Sequence, residues 1–228
     1  MWSKSRVEYI DHMGDDRRAC DSARVSLLND DPLFEYGEKL SGRDKRLLSF
    51  LMREKHTSPF EHSVMTLRIY APLPVVVQIM RHRTGSYNQA SRRYTSEEIE
   101  FFDLGEFRRQ SENNLQASLS ERLDPVDEAR LIREGKELVE GAYKFYCKLL
   151  EQGVCREQAR FYLPQGLMAR FWMTMSLHNY LKFLILRDSE HAQAECREVA
   201  QGIRAHLEEH FPETMALFND LVETRLNQ

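Results

Sequence analysis

The chain has no apolar run approaching about 18 residues, which excludes a helical membrane span, and no cysteine pair spaced C-x-x-C. Without such a pair, neither a zinc knuckle nor a thioredoxin-like motif is expected. The four cysteines, Cys20, Cys147, Cys155 and Cys196, are expected to be free and mostly packing residues. There is no G-x-G, so no Rossmann fingerprint, and no Walker loop. No H-E-x-x-H or finger spacing points to a metal. The start, Met1-Trp2-Ser3-Lys4-Ser5-Arg6, lacks the apolar stretch of a secretory signal, and a cytoplasmic protein is the expectation.

One absence is local. The chain carries 36 acids in 228 residues, yet none lies between Glu61 and Glu97. At the chain average that gap would hold about five. Inside it runs Arg81-His82-Arg83-Thr84-Gly85-Ser86-Tyr87-Asn88-Gln89-Ala90-Ser91-Arg92-Arg93-Tyr94. Four guanidinium groups with no carboxylate among them, in a chain of net charge −4, mark a place built to hold anions. Guanidinium matches phosphate oxygens through paired donors and keeps its charge at any working pH. Ser86, Asn88, Gln89 and Ser91 add neutral donors and acceptors suited to a sugar or base edge.

The rest of the chain reads as an α+β protein of one domain over residues 1–228, helix-rich in its C-terminal half, with a small antiparallel or mixed sheet and no evident linker. Hydrophobic content of 42% supports a real core. Residues 7–11 are expected as a short strand, and a helix opens at Gly14-Asp15-Asp16. Asp30-Asp31-Pro32 reads as a turn. Ser41 with Asp44 three residues on resembles a capping box, before a helical stripe at Leu47, Leu48, Leu51 and Met52. Residues 62–71 alternate with a period of two and read as a strand. Pro74 suits the first turn of a short helix that ends at the Arg-His-Arg triplet, followed by loop to Ser91. Residues 104–123 read as a polar, patternless connection. Asp124-Pro125 caps a long amphipathic helix ending at Gly153. A short helix covers 156–163, and 166–176 is open between strand and helix. Helices follow at 177–186 and 191–209, and a last short one starts at Pro212.

Three segments together resemble the flavin-dependent thymidylate synthase family. The first is Arg81-His82-Arg83 followed, after seven residues, by Ser91, with Ser86, Asn88, Arg93 and Tyr94 in place. The second, His56-Thr57-Ser58-Pro59-Phe60-Glu61-His62, is similar to the family's His-x-(Ser/Thr)-Pro-Phe-Glu-His element. The third is Leu186-Arg187, three residues, then His191-Ala192-Gln193-Ala194-Glu195. Ala23-Arg24-Val25-Ser26 and the segment around Arg160 also match family elements.

The resemblance implies reductive methylation of dUMP to dTMP, with methylenetetrahydrofolate as carbon donor and NADPH-reduced FAD as hydride source. It implies a homotetramer with active sites shared between subunits. The Arg-rich loop of one subunit would meet the His56 and Arg187 segments of others. It assigns dUMP to Gln78, Arg81, Gln89, Ala90, Ser91, Arg92, Arg93, Arg160 and Arg187. FAD falls to Ser58, Arg81, His82, Arg83, Gln89, His178, Lys182 and His191, with His56 and Ser26 nearby. Arg187 is the catalytic assignment: a fixed cation beside the uracil favours the ionised ring nitrogen and lowers the barrier at the neighbouring carbon. No metal is implied. No Pro-Cys occurs, so the nucleophile of the cofactor-independent thymidylate synthases is missing.

The chain departs from the family pattern in two places. Gln89 stands where many members have Glu, and Ser176-Leu177-His178 stands where the family has Asn-x-Arg, with Lys182 one turn later and Asn179 as the alternative register. Two other readings stay open. One is a single-stranded nucleic-acid module stacking bases on Tyr87 and Tyr94, against which the net acidity argues. The other is a flavin reductase without methyl transfer.

Overall fold

Side-chain caps at Asp15, Ser41, Asp124 and Ser176 set four helix starts in this protein, a computed structural model that describes residues 1–28, 39–113 and 118–226. The Asp30-Asp31-Pro32 turn lies outside the described residues. The chain runs through β1 (Trp2–Ser3), β2 (Arg6–Met13), α1 (Asp16–Arg24), α2 (Gly42–Arg53), β3 (Val64–Pro72), α3 (Leu73–Ile79) and β4 (Ser86–Gln89). It continues through β5 (Phe101–Phe102), β6 (Arg108–Gln110), β7 (Ser118–Arg122), α4 (Pro125–Glu151) and α5 (Arg156–Ala159). The last elements are β8 (Met168–Ser176), α6 (Leu177–Arg187), α7 (Ala194–His210) and α8 (Pro212–Leu226). The fold class is α+β.

The capping box at α2 is present in full. Ser41 Oγ accepts the Asp44 N–H at 3.2 Å, and Asp44 Oδ2 accepts the Ser41 N–H at 2.9 Å. Asp44 also pairs with Arg24. Burial pulls the Asp44 carboxyl up, but hydrogen bonds from Arg24 and Ser41 outweigh it and hold the group at about 2, below an ordinary 3.8. A carboxylate held low stabilises the fold above its unfolded value, and that contribution fades as pH falls from about 4 toward 2. Ser41→Ala is expected to cost about 1 kcal/mol. Asp44→Ala should cost more and flatten the acid limb of the stability–pH curve, read by urea unfolding at several pH values.

Strand order in the main sheet is β2-β3-β8-β4. The alternation seen in the sequence is real on β3, where Met65, Leu67, Ile69 and Ala71 are buried. The open segment at 166–176 resolves as strand β8, whose Phe171, Met173 and Met175 are buried.

The chain divides into two compact units, neither of them a continuous run. The first comprises Met1–Ser5, Tyr70–Gln78 and Gln89–Phe171. Its core gathers Phe101, Tyr146, Ala159, Leu163 and Leu167, with Val139, Tyr143 and Leu150 of α4 packed against them. Asp124 caps α4, its side chain accepting from Val126 N–H at 2.9 Å. In this unit β1 pairs parallel with β5, and β6 pairs antiparallel with β7.

The second unit comprises Arg6–Ile69, Ile79–Asn88 and Trp172–Gln228. Leu48, Leu51, Phe60, Tyr180, Phe183, Ile203 and Phe211 are buried there. The buried Asp16 of α1 accepts the N–H groups of Glu213 and Thr214, capping α8 from across the unit.

Four expectations are corrected. The stretch expected as loop to Ser91 contains strand β4, because pairing with β8 supplies order that its polar composition hides. The connection at 104–123 contains the β6–β7 hairpin. Its strands are mostly polar, with Arg109 of one paired to Glu121 of the other, and leave no apolar alternation to read. The helix expected from His191 begins at Ala194, with Gln193 at its N-cap. The last helix is not short: α8 runs for 15 residues.

Candidate functional site

The short α3 ends at Ile79, and the Arg-His-Arg triplet follows in two consecutive turns. His82 N–H donates to Ile79 O at 3.1 Å, and Gly85 N–H donates to His82 O at 3.2 Å. This geometry turns Arg81 and Arg83 outward, where both are exposed, and His82 inward. Neither guanidinium bonds to another described residue. Two charges left without acids, on a backbone fixed by turns, are ready for an anion.

His82 meets α6. Its ring lies 4.7 Å from that of the buried Phe183, and its Nε2 accepts the Arg187 Nε–H at 3.1 Å. The two residues are 105 positions apart in one chain, so the Arg-rich loop meets the Arg187 segment within a subunit, where the resemblance implied a meeting between subunits. Burial, then the charges of Arg187 and Lys182, pull His82 below its ordinary 6.5. The ring is therefore neutral at pH 7, with a lone pair free to accept from Arg187. Burial and the Lys182 charge likewise pull His178 down, with Glu61 opposing them. Lys182 thus acts on both histidines.

Next to this group an open cleft is lined by apolar Leu51, Phe60, Leu181 and Phe218 together with Lys55, His56, His178 and Lys182. Ser58 is exposed at the start of a 3-10 turn, Ser58–Glu61. Ser26 is exposed in another, Val25–Leu27. His191 is exposed in the turn between α6 and α7.

The remaining candidates belong to the first unit. Ala90 N–H donates to Arg170 O at 2.9 Å, anchoring the chain after Gln89, which is exposed. Ser91 nucleates a turn: its carbonyl accepts from Tyr94 N–H and its Oγ from Arg93 N–H. Arg92 donates to the carbonyls of Glu97 and Glu98, closing the loop that follows. Arg93 pairs with Glu157 at 3.4 Å, on the segment that carries the exposed Arg160. Gln78 is half-buried near the end of α3.

The structure therefore brings together His82, Lys182, Arg187 and His178 in one unit, and Arg93 with the Arg160 segment in the other. Tyr87, read as a stacking platform in the nucleic-acid alternative, turns its hydroxyl onto the backbone instead, donating to His82 O at 2.8 Å. Sequence reasoning missed Phe183 as the platform of His82. Its only sequence signal is its place on the apolar stripe of α6.

The neutral state of His82 gives a pH prediction. Protonation, which burial and the Arg187 and Lys182 charges put off to a pH below the ordinary 6.5, removes the acceptor for Arg187 and sets two like charges in contact. A histidine pulled down in the folded state also loses stability as pH falls through its unfolded value. Any activity that uses Arg187 is expected to show an acidic limb in kcat/KM below pH 6.5. That limb should flatten in His82→Gln, and identical profiles for the two proteins would refute the pairing.

Two exposed arginines in a turn, a neutral histidine on a further arginine and an apolar cleft beside them form an arrangement whose chemistry suits an anionic aromatic ligand. The comparisons make that chemistry specific. The family model described as "Thymidylate synthase complementing protein" matches residues 8–213. A flavin-dependent thymidylate synthase of Thermus thermophilus is 39% identical over 217 residues, covering 95% of this chain and 76% of the relative. One of Thermosipho africanus is 36% identical over 219 residues, covering 94% and 91%. Among solved structures, the UMP/dUMP methylase PolB of Streptomyces cacaoi bound with 5-Br dUMP superimposes with a TM-score of 0.82 at 29% identity, covering 96% of each chain. The chain belongs to the flavin-dependent thymidylate synthase family, whose reaction class is the methylation of dUMP to dTMP.

Proposed function

We propose that the protein reductively methylates dUMP to dTMP, taking the carbon from methylenetetrahydrofolate and reducing equivalents from NADPH through FAD. The observation that carries this reading is the 3.1 Å contact between His82 and Arg187. It joins the residue that the family resemblance gives to the flavin with the one it gives to the pyrimidine.

The residues suit FAD. Arg81 and Arg83 offer unpaired guanidinium groups to a pyrophosphate. The apolar cleft with His56, His178 and Lys182 on its walls suits a flat ring system with anionic substituents. Ser58, Gln89 and His191 complete the proposed flavin set. FAD, when bound, supplies hydride chemistry that no side chain here can perform. Gln78, Arg81, Gln89, Ala90, Ser91, Arg92, Arg93, Arg160 and Arg187 hold dUMP in this reading. Arg93 and Arg160 hold charge for the phosphate. Arg187, its Nε already tied to His82, presents a fixed cation to the uracil and stabilises charge developing on it. Ser91 positions; no adjacent base activates it as a nucleophile.

A homotetramer with shared sites is part of the proposal, as is a cytoplasmic location. Large apolar side chains exposed beside site residues support the tetramer: Ile185 and Leu186 next to Arg187, and Phe161 and Tyr162 next to Arg160. Among the described residues no helix is long and apolar enough to cross a membrane. The chain passes between its two units at 5/6, 69/70, 78/79, 88/89 and 171/172. No single cut frees either unit, which supports one functional domain.

Titrating the purified protein with FAD, with and without dUMP, tests this reading. Saturable binding and a flavin spectrum that changes on adding dUMP are expected. A folded protein that binds no FAD would sink it. Because a similar structure is that of a UMP/dUMP methylase, UMP belongs in the same titration.

A further inference from the structure

We infer that Tyr87 is a positioning residue for this site: its hydroxyl clamps the turn that carries Arg81, His82 and Arg83, and through His82 it sets the guanidinium of Arg187. The inference rests on the ligand-binding reading of those residues given above.

The turn between α3 and β4 lies outside any helix or ladder. Its shape depends on two backbone bonds, one closing on Ile79 O and one on His82 O. Tyr87 Oη reaches the same two carbonyls, at 3.2 and 2.8 Å. A hydroxyl has one proton, so the bond is shared, with His82 O at the shorter distance. Strand alternation on β4 explains why Tyr87 can do this: Ser86 and Asn88 are exposed while Tyr87 points inward. Burial pushes the phenol up to about 12, so it remains a donor throughout the working pH range.

The turn also packs directly on the phenol. A Cβ built on Gly85 would fall 2.9 Å from Tyr87 Oη and 2.5 Å from Met175 Cε. Glycine at 85 is thus what lets the turn close over Tyr87. Loosening His82 loosens its Nε2, and with it the orientation of Arg187. A misplacement of about 1 Å at such a group is enough to slow chemistry about a hundredfold.

The fold supplies a matched control. Tyr180, fully buried, places its hydroxyl 3.2 Å from both Met65 O and Met173 O. Those carbonyls belong to β3 and β8, strands already held by the sheet, so this hydroxyl anchors α6 and leaves the turn at 79–85 untouched.

The test compares Tyr87→Phe with Tyr180→Phe in the FAD-loaded protein. Tyr180→Phe, at the fully buried hydroxyl, is expected to lose at least as much thermal stability as Tyr87→Phe. Tyr87→Phe is expected to raise KM for dUMP, by about tenfold, and to shift the flavin spectrum, and it alone is expected to speed amide hydrogen exchange at His82 and Gly85. Gly85→Ala, which crowds the same turn from the other side, should reproduce those changes and serves if Tyr87→Phe does not fold. Wild-type KM, spectrum and exchange in a folded Tyr87→Phe would overturn the inference. If the wild-type protein binds neither FAD nor dUMP, the ligand reading fails and with it the positioning role. Exchange at His82 and Gly85 then still shows separately whether Tyr87 clamps the turn.

Discussion

Arg187→Ala is expected to lower kcat for dTMP formation by about 10²–10³-fold, the usual loss when one preorganised group facing developing charge is removed. Arg187 sits in the last turn of α6, partly buried, with Nε donating to a neutral His82 at 3.1 Å. That bond fixes the plane of the guanidinium, and partial burial weakens the screening of its charge by water. Arg187→Lys should recover little. An ammonium is a single point charge on a flexible stem and cannot hold His82 and a uracil edge in one plane. The alternative is that Arg187 merely satisfies the end of a helix. In that case Arg187→Ala would cost about 0.3–1 kcal/mol of stability and leave kcat alone. Steady-state kinetics beside a urea melt separates the two.

Phe183→Ala should be the most destabilising single change near the site, by about 3–5 kcal/mol. Phe183 is fully buried on α6 and carries the His82 ring at 4.7 Å. Total stability of a domain is about 5–15 kcal/mol, so the variant should melt far below wild type in a thermal or urea scan. Protein that still folds should bind dUMP weakly, because His82 has lost its platform. A loss under about 1 kcal/mol would mean that the site does not rest on this part of the core.

Features that a few neighbouring residues decide were legible in the sequence. The Ser41 and Asp44 box, the Asp124-Pro125 start of α4 and the helix after Pro72 each follow from one or two local hydrogen bonds or a fixed φ. The alternation of β3 also showed, because one of its faces is wholly apolar. Features made by partners far away were not. Ser86-Tyr87-Asn88-Gln89 becomes a strand only because β8 lies beside it. The β6–β7 pair is made by antiparallel backbone pairing between polar strands and has no apolar face to betray it. At the site, the motif residues were legible through the family resemblance. Their arrangement was not: nothing in the sequence places His82 on Arg187, or two turn carbonyls under the hydroxyl of Tyr87.

The measurement that bears most directly on the account is product formation: purified protein with FAD, NADPH, methylenetetrahydrofolate and dUMP, the nucleotides separated and identified by mass. The account predicts dTMP, formed only when all four are present and lost in Arg187→Ala. NADPH oxidation that proceeds without dUMP and yields no dTMP, from folded and FAD-loaded protein, would contradict it and leave a reductase.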